Sequence, residues 1–206
     1  MQHLFSLENP LVNFLAKIVD IFILNMLFII TSLPIITIGT ASTALYSVTQ
    51  KIVRGEDRYI VRDYFIAFKR NFKQSTILWL LLLMGGLLIF IDYHLFVRLS
   101  GIPKIFLASV LLTFCFVYLC ISLFIFPYIA RYVDTLRKAI LNSLLLAISN
   151  FPYLLLLFVM NFVPLIFVFS SPIGFLTGLY VFTFGGFSFL AFLNSFIFRR
   201  IFSKYE

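Results

Sequence analysis

Side chains that could carry chemistry are few in this sequence. The two histidines are His3 and His94, and no H-E-x-x-H, C-x-x-C or paired-histidine spacing typical of a metal site occurs. The glycine patterns of phosphate-binding loops and dinucleotide folds are absent, as is the G-x-S-x-G turn of serine hydrolases. We therefore expect no metal site, no cofactor and no enzymatic activity.

Five polar residues inside apolar segments remain as candidate functional residues, because polar and ionisable groups in a membrane are costly and usually functional. They are Asp20, Asn25, Asp92, Asn161 and Asn194. Asp20 lies one helical turn after Lys17, and Asp92 lies close to His94, so interfacial charge clusters are the simpler interpretation of the two acids. The simpler interpretation of the three asparagines is hydrogen bonding between helices.

Composition decides the class of protein that must position these residues. Of 206 residues, 62% are hydrophobic and 12% are charged, and the mean hydropathy is +1.08. A chain of this size has too little interior to hide so much apolar surface from water, which excludes a soluble globular protein. Disorder needs the opposite composition. The sequence predicts a single all-α membrane domain over 1–206.

The apolar runs predict about five transmembrane helices, since about 20 apolar residues cross the hydrocarbon layer. The predicted spans are 18–38, 76–97, 105–128, 140–169 and 175–198. The last two come from 60 residues without a charged side chain, divided by the turn sequence Ser170-Ser171-Pro172-Ile173-Gly174. Cys115 and Cys120 point to different sides of the third span, which predicts packing residues rather than a disulfide.

Basic residues predict the orientation of these spans. The net charge is +8, and with five spans only Lys17, Arg98 and Lys104 fall on the side opposite the other basic residues. The positive-inside rule then places the C-terminus in the cytoplasm and the N-terminus outside. Basic clusters between apolar runs also favour anionic lipid headgroups, rather than nucleic acid, as partners. The first 16 residues contain no lysine or arginine, so we expect the first apolar segment to be retained rather than cleaved.

The sequence of the first span also allows an alternative topology. Pro34 and Gly39 interrupt it, and the small and hydroxyl residues of 40–44 follow. Proline favours a break, and small residues let a second short helix pack closely on its neighbours. If that helix re-enters the bilayer, the N-terminus would be cytoplasmic.

The basic segment 59–73 has the pattern of an amphipathic helix lying at the cytoplasmic interface. At helical spacing, one face is apolar and aromatic, formed by Val61, Tyr64, Phe65, Phe68 and Phe72. The flanking and opposite positions are basic and are the candidate lipid- or partner-binding residues, Arg62, Lys69, Arg70 and Lys73. A topology signal is the simpler interpretation, and a docking surface for a cytoplasmic partner is the alternative.

Several stretches together resemble the YesL family of small bacterial membrane proteins. They are residues 20–25, L-P-I-I-T-I-G at 33–39, T-A-L-Y-S-V-T at 43–49, F-I-A-F-K-R-N-F-K-Q at 65–74, and L-N-S-F at 193–196 followed by Arg199-Arg200. The resemblance is strongest over 20–80. Phe28 stands where many relatives carry tryptophan.

The resemblance implies a multi-pass protein of the bacterial cell membrane without an established molecular activity or defined catalytic residues. Its members often accompany carbohydrate-uptake systems, which makes an ABC-type sugar transporter a candidate partner. The chain lacks the cytoplasmic E-A-A loop of ABC permeases, so we expect an accessory component. An autonomous small-solute transporter or channel and a lipid-binding structural protein remain as alternatives.

Overall fold

The computed structural model describes residues 10–56, 59–98 and 100–205, and of residues 10–15 only the backbone. No β-strand occurs within these ranges. The α-helices of the described chain are α1 (Pro10–Ser32), α2 (Ile38–Arg54), α3 (Ile60–Arg98), α4 (Ile102–Arg131), α5 (Leu136–Ser149), α6 (Phe151–Ser170), α7 (Pro172–Val181) and α8 (Phe187–Phe202). A short 3-10 turn precedes α2, and a π-helical turn joins α7 to α8.

Four helical segments of the described chain are long and apolar enough to cross a membrane, namely α3, α4, α6 and the joined α7–α8. With 23 residues, or about 35 Å, α1 has the length of a fifth. Apolar side chains cover the outside of the bundle, and Leu112 and Phe169 are 73% and 77% exposed. Such a surface suits lipid and not water. The all-α membrane bundle is thus confirmed.

The first apolar segment does not form one helix over 18–38. Instead α1 ends at Ser32, and α2 starts at Ile38 as a separate, mostly buried helix. Pro34 lacks an amide hydrogen and disfavours helix at the residue before it. The hydroxyl of Thr37 donates to the carbonyls of Thr31 and Pro34, at 2.6 and 2.7 Å, so protein groups satisfy the broken backbone. The predicted break is confirmed.

Residues 59–73 do not form an independent helix lying along the membrane. They are helical, as predicted, but α3 continues without a break from Ile60 to Arg98 and is about 58 Å long. The first half of α3 packs against α2 with buried Tyr64, Ala67, Asn71 and Ser75. That packing holds the basic segment in line with the span that follows it.

The predicted span 140–169 is also divided. It contains most of α5 and nearly all of α6, which meet at Asn150 just before Pro152. With 14 residues, or about 21 Å, α5 is too short to cross the hydrocarbon layer, and its last residue, Ser149, lines a cavity with Tyr205. The span is α6 alone, about 30 Å long. The turn predicted at 170–174 is confirmed, with the Ser171 hydroxyl accepting from the Gly174 amide.

Candidate functional site

The centre of the bundle is polar, although its surroundings are apolar. Helix α2 packs between α3, α8 and α4. We call one set of buried hydroxyl and amide side chains from α2, α3 and α8 the polar seam; it consists of Thr40, Thr43, Ser47, Thr49, Gln50, Asn71, Ser75, Asn194 and Ser195. Small side chains allow the backbones to approach closely, and a Cβ added at Gly39 would lie 2.5 Å from the Cβ of Trp79.

Hydroxyl pairs join α2 to the helices on both sides. Thr43 and Ser75 share a hydrogen bond of 2.9 Å between α2 and α3, and Thr40 and Thr76 share one of 3.0 Å. On the other side of α2, Thr49 bonds to Ser195 of α8 at 2.9 Å. Each pair satisfies groups that would otherwise be unpaired in an apolar interior. The pairs therefore stabilise packing between helices.

Two of the predicted asparagines belong to one network that extends the polar seam to α6. The amide nitrogen of Asn194 lies 3.1 Å from both the Tyr46 hydroxyl of α2 and the amide oxygen of Asn161 of α6. Asn161 also donates to the Leu157 carbonyl of its own helix at 2.7 Å. The network links three helices, as the simpler interpretation of these asparagines predicts.

The third asparagine, Asn25 of α1, bridges the interruption between α7 and α8. Its amide nitrogen donates to the carbonyls of Phe182 and Thr183 at 2.9 and 2.8 Å, and its amide oxygen accepts from the Ser188 backbone at 3.2 Å. Asn25 is fully buried. It bonds backbone groups at the point where the regular α-helical hydrogen bonding is interrupted. The sequence placed Asn25 inside a span but did not predict this break.

The two predicted acids lie apart from the polar seam. Asp20 of α1 and Asp92 near the end of α3 are each half-buried. His94 turns toward its own helix, with Nδ1 3.0 Å from the Phe90 carbonyl and the two rings 4.4 Å apart. Within the described ranges, no group of three or more histidine, cysteine or acidic side chains is placed to hold a metal ion. Cys115 and Cys120 are free thiols.

The four predicted basic residues, Arg62, Lys69, Arg70 and Lys73, are all exposed along the first half of α3. Packing against α2 buries some of the neighbouring aromatic residues and leaves others exposed. Tyr64 is fully buried and bonds to the Thr31 hydroxyl at 2.6 Å, whereas Phe65 and Phe72 are 40% and 44% exposed. The exposed residues form a surface, the α3 ridge, consisting of Arg62, Phe65, Lys69, Arg70, Phe72 and Lys73.

A cluster of arginines was not predicted from the sequence. Arg54, Arg131 and Arg199, at the C-terminal ends of α2, α4 and α8, line one cavity of about 160 Å³. We call this end of the bundle the basic end. The distribution of basic residues predicts all three on one side of the membrane, but no sequence signal brings them together, because they are remote along the chain.

Comparisons with known proteins agree with the resemblance found in the sequence. Residues 21–93 match the family DUF624, described as a protein of unknown function, and this range includes Asn25, all of α2 and most of α3. The uncharacterized protein YesL of Bacillus subtilis (strain 168) is 24% identical over 149 residues, which cover 70% of each chain. No solved structure matches the chain.

A second relative is the uncharacterized protein YteU of the same organism. It is 26% identical over 138 residues, which cover 65% of this chain and 60% of YteU. The two relatives and the match over 21–93 together confirm the predicted resemblance to a YesL-like family whose molecular function is unknown.

Proposed function

We propose that this protein is a non-enzymatic, multi-pass protein of the bacterial cell membrane that acts as an accessory subunit of a carbohydrate-uptake system. The observation that carries the proposal is the α3 ridge, an exposed basic and aromatic surface on a firmly held helix. The carbohydrate link rests on the resemblance to the YesL family, and an ABC-type sugar transporter is the proposed partner.

The ridge is suited to docking because the helix beneath it is fixed. Tyr64 and Ala67 anchor α3 against α2 from the buried side. Lys51 of α2 also pairs with Asp63 of α3 at 3.2 Å. A surface that is already ordered loses less conformational entropy when a partner binds. Four exposed cations on it favour an acidic partner surface.

We further propose that the basic end of the bundle is cytoplasmic and that the C-terminus lies there. Arg199 donates to the Val53 carbonyl at 2.8 Å, and Gln50 donates to the Pro127 carbonyl at 2.9 Å, so the C-terminal ends of α2, α4 and α8 meet. Positively charged segments remain preferentially in the cytoplasm.

The polar interior supports a structural role for its side chains. The hydroxyls of Thr43 and Thr49 and the amides of Asn25 and Asn194 bond to other helices of the bundle. A small-solute transporter is the second candidate, favoured by the break between α7 and α8, because interrupted helices form the binding sites of many transporters.

The test is affinity purification from native membranes, followed by mass spectrometry, of the wild-type chain and two charge variants. The first variant replaces Lys69, Arg70 and Lys73 by glutamine. The control replaces Arg98, at the C-terminal end of α3, and Lys104, at the N-terminal end of α4, also by glutamine. We expect an ABC-type sugar permease to co-purify with the wild type and the control but not with the ridge variant. Isolation of the chain alone in all three would contradict the accessory role.

A further inference from the structure

The arginine-lined cavity at the basic end has the properties of an anion-binding site. It has a volume of about 160 Å³, and its walls are three arginines, a glutamine, two serines and one phenylalanine, namely Arg54, Arg131, Arg199, Gln50, Ser195, Ser203 and Phe202. At about 30 Å³ per water molecule, this space holds roughly five waters or one group the size of a phosphate. The cavity is distinct from the α3 ridge.

The guanidinium groups of Arg54 and Arg199 have hydrogen-bond donors to offer an anion. Arg199 uses one terminal nitrogen for the Val53 carbonyl, and Arg54 binds the Glu56 carboxylate through Nε and one terminal nitrogen. A guanidinium carries five N–H donors, so donors remain on both side chains. Their planar, forked arrangement matches the oxygens of phosphate better than a lysine ammonium does.

The remaining walls of the cavity are held in place by the bundle. Gln50 is 4% exposed and bonds to the Pro127 carbonyl, and Ser195 is fully buried and bonds to Thr49 and to the Ala191 carbonyl. Because these groups are ordered without a ligand, binding would require little rearrangement.

Among the described residues named here, the charge of the three arginines exceeds the negative charge of the helix ends and of Glu56. The C-terminus of each of three helices contributes about half a negative charge, and Glu56 contributes one. Arg54 bonds to Glu56, and Arg131 and Lys51 attract it, so the pKa of its carboxyl is lowered. Glu56 thus competes with any other anion for Arg54.

We propose that this cavity binds a phosphate group, supplied either by the headgroup of an anionic phospholipid or by a soluble phosphate compound. Both sources present the same tetrahedral oxyanion to Arg54, Arg131 and Arg199. Phe202 adds an apolar wall beside the polar ones, and the cavity lies where spanning helices end, close to the level of lipid headgroups.

The experiment measures binding to the full chain in nanodiscs of phosphatidylcholine. One arm titrates inorganic phosphate and follows it by isothermal calorimetry. The other arm adds phosphatidylglycerol to the nanodiscs and counts retained lipids by native mass spectrometry. The variants are Arg131→Gln, Arg199→Lys and Glu56→Gln, and the matched control is Arg200→Gln, which removes the neighbouring charge outside the cavity.

We expect Arg131→Gln to weaken binding about tenfold, the scale of one lost charge-assisted hydrogen bond. Arg199→Lys should weaken it less, because the charge remains, and Glu56→Gln should strengthen it by removing the competing carboxylate. Arg200→Gln should change affinity less than about twofold, since exposed charges are screened. Binding in the phosphate arm identifies a soluble ligand, and binding in the lipid arm alone identifies a headgroup.

Opposite effects of Glu56→Gln and Arg131→Gln exclude general loss of folding as the cause. No saturable binding in either arm would overturn the proposal. Equal losses in Arg131→Gln and Arg200→Gln would also overturn it, because binding would then follow overall charge rather than the cavity.

Discussion

Replacing Asn25 by leucine tests whether this side chain holds the broken α7–α8 span together. Leucine has the same branching and the same number of side-chain heavy atoms but cannot hydrogen bond, so the carbonyls of Phe182 and Thr183 and the amide of Ser188 lose their contacts with Asn25. At an average of about 0.6 kcal/mol per bond within a membrane, three bonds contribute about 2 kcal/mol. An unpaired amide left in the apolar interior adds about 1–3 kcal/mol.

We therefore expect Asn25→Leu to lower the free energy of unfolding by about 3–5 kcal/mol. The measurement is reversible unfolding by sodium dodecyl sulfate in mixed micelles. Hydrogen exchange of the full chain in nanodiscs should also show faster exchange of the Ser188 amide region. The control is Thr177→Val on α7, whose exposed hydroxyl bonds to the Ile173 carbonyl of its own helix. A stability within about 0.5 kcal/mol of wild type, with unchanged exchange, would refute this reasoning.

Three further predictions concern packing, the α3 ridge and orientation. Gly39→Ala should destabilise the bundle by about 1–3 kcal/mol through overpacking against the backbone of α3. Gly85→Ala should cost less, because its new Cβ would lie 3.3 Å from a Tyr118 ring atom. Unfolding in mixed micelles measures both variants. A cysteine at Tyr64 should react slowly with a water-soluble maleimide and one at Arg70 quickly, and equal rates would contradict the observed packing. A reporter fused to the C-terminus should read cytoplasmic, and an external reading would overturn the proposed orientation.

The sequence by itself determined the class of the protein and several of its boundaries. Long apolar runs require helices in lipid, because the backbone must satisfy its own hydrogen bonds there. The break at Pro34 and the turn at Ser171-Pro172 follow from the missing amide hydrogen of proline, which acts locally. The predicted span 140–169 runs across the division of α5 from α6, although Pro152 is a signal for a break there.

Only the tertiary structure decided which groups meet. The pattern of 59–73 predicted a helix but not its continuation into the next span, because α2 selects the buried face of α3 and amphipathicity alone does not. The network of Tyr46, Asn161 and Asn194 and the cavity lined by Arg54, Arg131 and Arg199 join residues from three helices each. Insertion of each helix depends on its own composition, whereas contacts between helices depend on packing geometry. A single sequence read span by span does not contain that geometry.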